Sequence, residues 1–385
     1  MPRGARLLLT AAALTGARCG TRGALEAVLH VGPHKTGSTT LEAATLVLPG
    51  VRNLLINRDS FALAHDMPGK YVGAKAHANL ADALLSPDML SHPTWPWFVA
   101  YARKSHAAGK RLFITTENLS VVPSVPNLRR LLSTLSAGIG YRVRVVVIHR
   151  RLFDKLPSVH SELYMAEYRP ILAVREYLPI VDWIVQRDAH VSSRFYQTVR
   201  LRNQFAGLGA AEVSVMNIHR LPAGASLTAE FVCNHLRANF TCSRLRSRGA
   251  PKVLLKNARP RGMSTLFDLI YGAARAAGIA RLRPDRALAV LAEHGADART
   301  RPQIPFRCLN QTVLKGIWRA ALGEERALHG AAPFRERERA ELRDMYEAKV
   351  RDLCSADVGV ALRMAQWAQP LKAALEAGRV DAPAQ

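Results

Sequence analysis

The chain has 385 residues, 49% hydrophobic, 22% charged and 6% aromatic, enough apolar side chain for one extended α/β unit or, at roughly 150 residues per domain, two or three domains. That balance excludes a disordered, collagen-like or small disulfide-scaffold protein. Its 54 Lys+Arg against 30 Asp+Glu give a formal net charge of +24, which draws anions: nucleic acid, acidic polysaccharide, anionic lipid or a phosphorylated small molecule. There is neither an RRM-type basic and aromatic pattern nor a zinc-spaced Cys/His set, so no nucleic-acid partner is expected.

The first segment carries Arg3, Arg6, Arg18 and Arg22, holds the apolar run LLLTAAALTG over residues 7–16, and has no acid before Glu26. Ten apolar residues fall well short of the ~20 that cross a bilayer, so residues 1–22 read as a cleaved signal peptide, and no membrane span is expected in the mature chain. An Arg-rich organellar transit peptide or a plain N-terminal helix are the alternatives. Secretory entry implies the Golgi lumen or secretion and removes Cys19, leaving the even set Cys233, Cys242, Cys308 and Cys354. The nine-residue spacing pairs Cys233 with Cys242, and elimination pairs Cys308 with Cys354. Four buried thiols are the alternative. Sequons at Asn239 and Asn310 agree with a lumenal chain, while the one at Asn118 falls in the candidate site.

Short β-branched runs at 27–31, 51–56, 111–116, 143–149 and 213–218, each followed by a helical stretch, predict a mainly parallel sheet with helices on both faces. The runs VVVI and LFIT are continuous, as strands covered on both sides require. Leu41, Ala44 and Leu48 mark one helical face over 38–48, which Pro49 and Gly50 stop. The span 172–207 reads as mostly helical, and 334–353 as an amphipathic helix with Leu342, Met345, Tyr346, Val350 and Leu353 on its apolar face. Between them, 244–261 is a basic block without an acid, either a solvated loop or an anion-facing segment.

The sharpest signal is GPHKTGSTTL over residues 32–41, a strand, a glycine-bearing loop and a helix start. Such a loop lets backbone N–H groups and the positive end of a helix approach an anion, and Ser38, Thr39 and Thr40 add hydroxyl donors. A Walker A loop has lysine directly after its second glycine; here that slot is Ser38 and the lysine, Lys35, stands two residues before Gly37. No strand ends in a metal-binding Asp, since 111–116 leads to Glu117 and 143–148 to His149, Arg150 and Arg151. A phosphate site without a metal is expected.

These residues resemble the 5′-phosphosulfate loop of the sulfotransferases that use 3′-phosphoadenosine 5′-phosphosulfate (PAPS), whose pattern is roughly P-K-[ST]-G-[ST]-T; His34 stands here where the family often has Pro. The string VVVIHRRLFDKLPS over 145–158 is similar to the family's 3′-phosphate site, with Arg150 at a strand end and Ser158 eight residues later. Arg151 is the neighbouring candidate. Weaker likenesses are the strand leading to Glu117 and the helix over 334–353. The resemblance covers about 27–355, departs most over 255–335, and lacks the R-K-G-x-x-G segment of the cytosolic subfamily. It implies a three-layer α/β/α, P-loop NTPase-like core over 24–260 with a mainly helical C-terminal part over 261–385. The implied activity is sulfuryl transfer from PAPS to a hydroxyl-bearing acceptor, a glycan given the secretory signals. The implied donor-binding residues are Gly32, His34, Lys35, Thr36, Gly37, Ser38, Thr39, Thr40, Arg150 and Ser158.

In such an in-line displacement most of the work is positioning and charge stabilisation. Lys35 is expected to stabilise the leaving oxygen. Glu117, at the carboxyl end of a parallel strand, is the first candidate for general base, the alternative being a structural carboxylate that pairs with an Arg or caps a helix. His77 is the second, because family members show a His before an L-A-x-A-L helix like 80–84, and His34 the third. Loops at 60–75 and 91–100, the latter with Trp95 and Trp97, are candidates for the acceptor pocket. Two other classes stay open: a P-loop nucleotide kinase or NTPase, and a non-catalytic acidic-glycan-binding protein on the same fold.

Overall fold

The computed structural model describes residues 24–32, 38–65, 67–122, 124–165, 172–186, 198–221, 226–248, 263–294, 306–329 and 334–380. The leader, the loop residues 33–37 and most of the basic block lie outside these residues.

The chain opens with strand β1 (Glu26–Val31) and helix α1 (Ser38–Glu42), which continues as a wider turn over Ala43–Val47. Next come α2 (Pro49–Asn57), β2 (Phe61–Leu63), a 3-10 turn (Gly73–Ala78), α3 (Asn79–Leu85), α4 (Thr94–Ala107) and β3 (Arg111–Thr115). A 3-10 turn (Glu117–Val121), α5 (Val125–Ser136), β4 (Arg142–His149) and α6 (Leu152–Met165) follow. The two-residue strand β5 (Leu172–Ala173), α7 (Ile180–Gln186), α8 (Thr198–Gly207) and β6 (Glu212–Asn217) lead to α9 (Leu227–Glu230) and α10 (Asn239–Arg248). The remainder is α11 (Met263–Ala276), β7 (Arg281–Leu282), α12 (Pro284–Glu293), β8 (Phe306–Arg307), α13 (Gln311–Leu328), α14 (Glu336–Lys349), β9 (Ser355–Ala356), α15 (Val358–Ala361) and α16 (Ala365–Gly378).

Five strands form one parallel sheet in the order β2-β3-β1-β4-β6, so the chain is an α/β protein. Alternation along each strand sends side chains to two layers. Leu29, Val31, Ile114, Val145 and Val147 pack under α3, α4, α5 and α8, through residues such as Leu80, Phe98, Leu131 and Phe205. Val28, Phe113, Val146 and Ile148 pack under α1, α2 and the segment following β6, through Leu41, Leu55, Phe231 and Leu245. Two further clusters tie the C-terminal helices to the middle of the chain: α11, α12 and α16 gather on Val174 and Tyr177, while α13 and α14 close over α6 and α7.

Two expectations are corrected. Residues 51–56 form no strand: Pro49 is a good first helical residue, and Val51 and Leu55, four apart, are the buried face of α2. Pro49 therefore opens a helix rather than only ending one, and the outer strand is the three-residue β2. The described residues of 172–207 are mostly helical, as expected, after the short strand β5, which is paired to β7, and a 3-10 turn (Val174–Glu176). Residues 94–100 are no loop but the start of α4, where Trp95 is buried and Trp97 stacks on Tyr101 at 5.1 Å and 5°.

The cysteines form two disulfides, Cys233–Cys242 and Cys308–Cys354, as the spacing predicts. Among the described residues no helix is long and apolar enough to cross a membrane. Asn239 and Asn310 are exposed, and Asn118 is half-buried beside Glu117.

Candidate active site

The winding of the sheet decides where a ligand can sit. From β1 the chain steps outward to β2 by way of α1 and α2 on one face, whereas the steps β2 to β3, β3 to β4 and β4 to β6 use the other face. Steps in opposite directions on opposite faces are what right-handed crossovers require. The reversal opens a crevice between the carboxyl ends of β1 and β4, which are hydrogen-bonded neighbours. Gly32 follows β1 and Arg150 follows β4, so both sequence motifs leave from this point. His34, Lys35, Thr36 and Gly37 lie outside the described residues; Ser38 and Thr39 open α1, and Thr40 beside them is half-buried.

On the β1 and β3 side stands an acid–base cluster. His30, fully buried, shares a 2.7 Å hydrogen bond between Nδ1 and Thr115 Oγ1 and meets the ring of Phe231 edge-on. Burial drives its pKa down to about 3 against the attraction of Glu117, with His77 and His235 adding to the fall, so the ring is neutral. Glu42, the last residue of α1, places Oε2 3.2 Å from His77 Nε2, each side chain 11% exposed. Burial raises the Glu42 pKa, the His77 hydrogen bond and charge oppose this, and the Glu117 carboxylate adds to the rise. Glu117 is the half-buried first residue of its 3-10 turn, where Thr116 Oγ1 accepts a 3.3 Å bond from Asn118 N. Two of the three sequence-derived base candidates thus meet around a carboxylate that the sequence reading missed. Glu42 carried a signal: it is the one acid between Glu26 and Asp59 and interrupts the apolar face of its helix.

The His77 turn is held from behind. Asn79, fully buried, donates from Nδ2 to Met67 O at 2.7 Å and Tyr71 O at 2.8 Å and accepts from Tyr71 N at 2.9 Å. Gly69 is required beside it: φ is +150°, and a Cβ there would stand 2.5 Å from Asn79 Oδ1.

On the β4 and β6 side stands a cationic cluster. Arg150 Nε donates to Asp154 Oδ2 at 2.7 Å, and Lys349 Nζ of α14 reaches Asp154 Oδ1 at 3.3 Å. Burial would raise the Asp154 pKa, yet Arg150, His219 and Lys349 together hold it below the usual carboxylate value. His219 Nε2 accepts from Arg151 N at 3.1 Å, and burial, opposed by Asp154, brings its pKa down to about 4. Lys155 is buried, which lowers its ammonium to about 8, with Glu324 opposing and Arg150 adding. Ser158 is half-buried in α6, about two turns past Arg150. Arg151 is committed elsewhere: it is buried, with Nε 3.0 Å from Glu325 Oε1. Nothing in the sequence announced Lys349, which α14 brings in from 195 residues beyond Asp154 (349 − 154).

Among the described residues no three His, Cys, Asp or Glu side chains gather as a metal site. The arrangement offers proton transfer at one lip of the crevice and anion binding at the other. Compared with protein-family models, curated proteins and solved structures, the chain matches none.

Proposed function

We propose that the chain is a sulfotransferase that moves the sulfuryl group of PAPS to a hydroxyl of a carbohydrate or glycoconjugate. The observation that carries this reading is that β1 and β4, which lead into the two phosphate motifs, are adjacent strands at the point where the winding reverses. A strand order with the loop-bearing strand in the centre supports a P-loop-like fold. The donor set fits a dianion: a guanidinium, an ammonium and a hydroxyl at Arg150, Lys349 and Ser158, beside the Lys35 loop of the sequence motif. PAPS brings a sulfuryl group already activated by its 5′-phosphate; the chain's part is to hold the anion and take the acceptor proton. Two disulfides and exposed sequons at Asn239 and Asn310 support the Golgi lumen or secretion.

Calorimetry with adenosine 3′,5′-bisphosphate, with and without Mg²⁺ and beside ATP, tests the reading. Tight binding that ignores Mg²⁺ and is lost in Lys35→Ala is the expected result. Binding of ATP instead, dependent on Mg²⁺, would replace the reading with a nucleotide kinase or NTPase, and no binding of either would leave a non-catalytic protein.

A further inference from the structure

Independently of the sulfotransferase reading, we propose that the outer face of α13 is an anchoring surface for a linear acidic polysaccharide, separate from the donor crevice. The face follows from the helix period. Ile317, Ala321 and Glu325, four apart, are buried on the inner side, and the first two pack with α6 and α7. Lys315, Arg319 and Arg326 are exposed and fall within about 40° of one another on the outer side. They form a straight row about 16 Å long. It starts beside the carboxyl end of β4, where Glu325 meets His149 and Arg151, and runs away from it.

The row is not explained by the needs of the helix. Among the described residues none of the three cations pairs with a carboxylate, because the two acids of α13 turn inward, Glu324 to Thr198 N and Glu325 to His149 and Arg151. On α14 the opposite holds: Arg337 and Arg343 each meet a glutamate four residues on, Glu341 and Glu347, at 2.9 Å. Those charges are balanced where they stand. The helix dipole accounts only for Arg326, in the last turn; the first turn has no acid, and Lys315 lies toward the end that disfavours a cation. A fourth cation joins the row from α8, where Arg202 Nη1 donates to Ala327 O at 3.2 Å.

The shape of the row selects its partner. A bilayer is met by a plane of cations with apolar side chains between them, and this face exposes no large hydrophobic residue. A single line of charges fits a single extended chain whose sulfates or carboxylates recur on successive sugar units, each able to take a forked bond from a guanidinium. Gly316 and Gly323 flank the row with open space where a Cβ would stand, so such a chain can lie close to the helix. Two disulfides favour an oxidising compartment, where acidic polysaccharides rather than nucleic acids are the abundant linear polyanions.

Calorimetry of the full chain with a heparin oligosaccharide, set beside neutral dextran, single-stranded DNA and phosphatidylserine vesicles, tests the surface. Heparin is expected to bind and dextran not. Lys315→Ala/Arg319→Ala/Arg326→Ala is expected to weaken heparin about 10-fold and to lower the slope of log affinity against log salt by about 2. Arg337→Ala/Arg339→Ala/Arg343→Ala removes as many charges from α14 and should change the affinity by less than about 2-fold. Arg319→Lys/Arg326→Lys, which keeps the charge, should retain most of the binding. Equal losses in the two alanine variants would assign the binding to the field of the whole molecule and overturn the proposal, as would a parent chain that does not bind heparin. Tighter binding of DNA or of the vesicles would give the face to that partner instead. Affinity for adenosine 3′,5′-bisphosphate is expected to be the same in parent and variants; its loss in the α13 variant alone would make the row part of the donor crevice and overturn the proposal. Failure of the parent chain to bind that nucleotide overturns the sulfotransferase reading and leaves the heparin result unaffected.

Discussion

At the scale of single residues, the end of β4 and the two residues after it show how alternation sorts three neighbouring side chains. His149 and Arg151 point one way and are buried on Glu325; Arg150 points the other and meets Asp154. Glu325 is 1% exposed, with Oε1 accepting from His149 Nε2 and Arg151 Nε at 3.0 Å each and Oε2 3.4 Å from Arg220. Burial would raise its pKa, but His149 and Arg151 bring it down to about 2. Because the folded value lies below the ordinary 4.5, the unfolded chain binds more protons between those values. This contribution to stability is complete above about pH 4.5 and is lost as the pH falls through about 2. Glu325→Gln leaves the buried Arg151 guanidinium without its counter-charge and should cost about 3–5 kcal/mol in urea unfolding at pH 7, with a flatter acid limb than the parent. An unchanged acid limb would show that this carboxylate does not tie α13 to the sheet. The alternation was legible in the strand sequence; the partner, 174 residues from Arg151, was not.

At the scale of elements, what the sequence made legible follows from how strongly a segment's own pattern is repeated. Strands β1, β3, β4 and β6 are long enough and apolar enough to stand out, and Leu128, Leu131, Leu132 and Leu135 give α5 an unbroken face. The segment VRNLLIN failed because a β-branched start outweighed a face that repeats at four, and β2 was missed because three residues carry no period. Short strands such as β5, β8 and β9 exist only through partners far along the chain, which no local pattern encodes. The cysteine pairs were legible for a different reason, since four thiols and one short loop leave little choice. They differ in expected weight. Loop-closure entropy rises with separation, so the bond spanning 46 residues should contribute about 4 kcal/mol and the one spanning 9 about 2.6 kcal/mol. The double variant Cys308→Ser/Cys354→Ser is therefore expected to unfold at lower urea than Cys233→Ser/Cys242→Ser, the first losing the fastening of β8 to β9 and the second a local turn. Equal midpoints would mean that the unfolded chain already holds the longer loop closed.

At the scale of the whole molecule, the two ends of the sheet use the same residue types for different ends. At the amino end, Glu26 and Glu212 are shared among Arg111, Arg142, Arg144 and Arg237, which come from β3, β4 and the segment after β6. Arg144 is 1% exposed and also donates to His235 O at 3.1 Å, so this network clamps elements together. At the carboxyl end Arg150 is held by Asp154, four residues along the same segment, a local pair that a phosphate dianion can displace at little structural cost. β1 ends at one lip of the crevice and Arg150 follows β4 at the other, so under the proposed reading a ligand with two phosphates 3′ and 5′ on one ribose would engage both motifs, and a 5′-monophosphate only the first. Arg150→Ala should weaken adenosine 3′,5′-bisphosphate by about 10- to 100-fold, the worth of a charged hydrogen bond, while adenosine 5′-phosphate changes little and the unfolding midpoint stays put. Arg144→Met should do the reverse, lowering stability with nucleotide affinity retained, because the half-buried Glu26 and Glu212 lose the buried guanidinium that bridges them. Calorimetry with the two nucleotides, set beside urea unfolding of both variants, reads the difference. Equal losses for the two nucleotides in Arg150→Ala would mean that this guanidinium does not read the 3′-phosphate and serves the crevice only through its field.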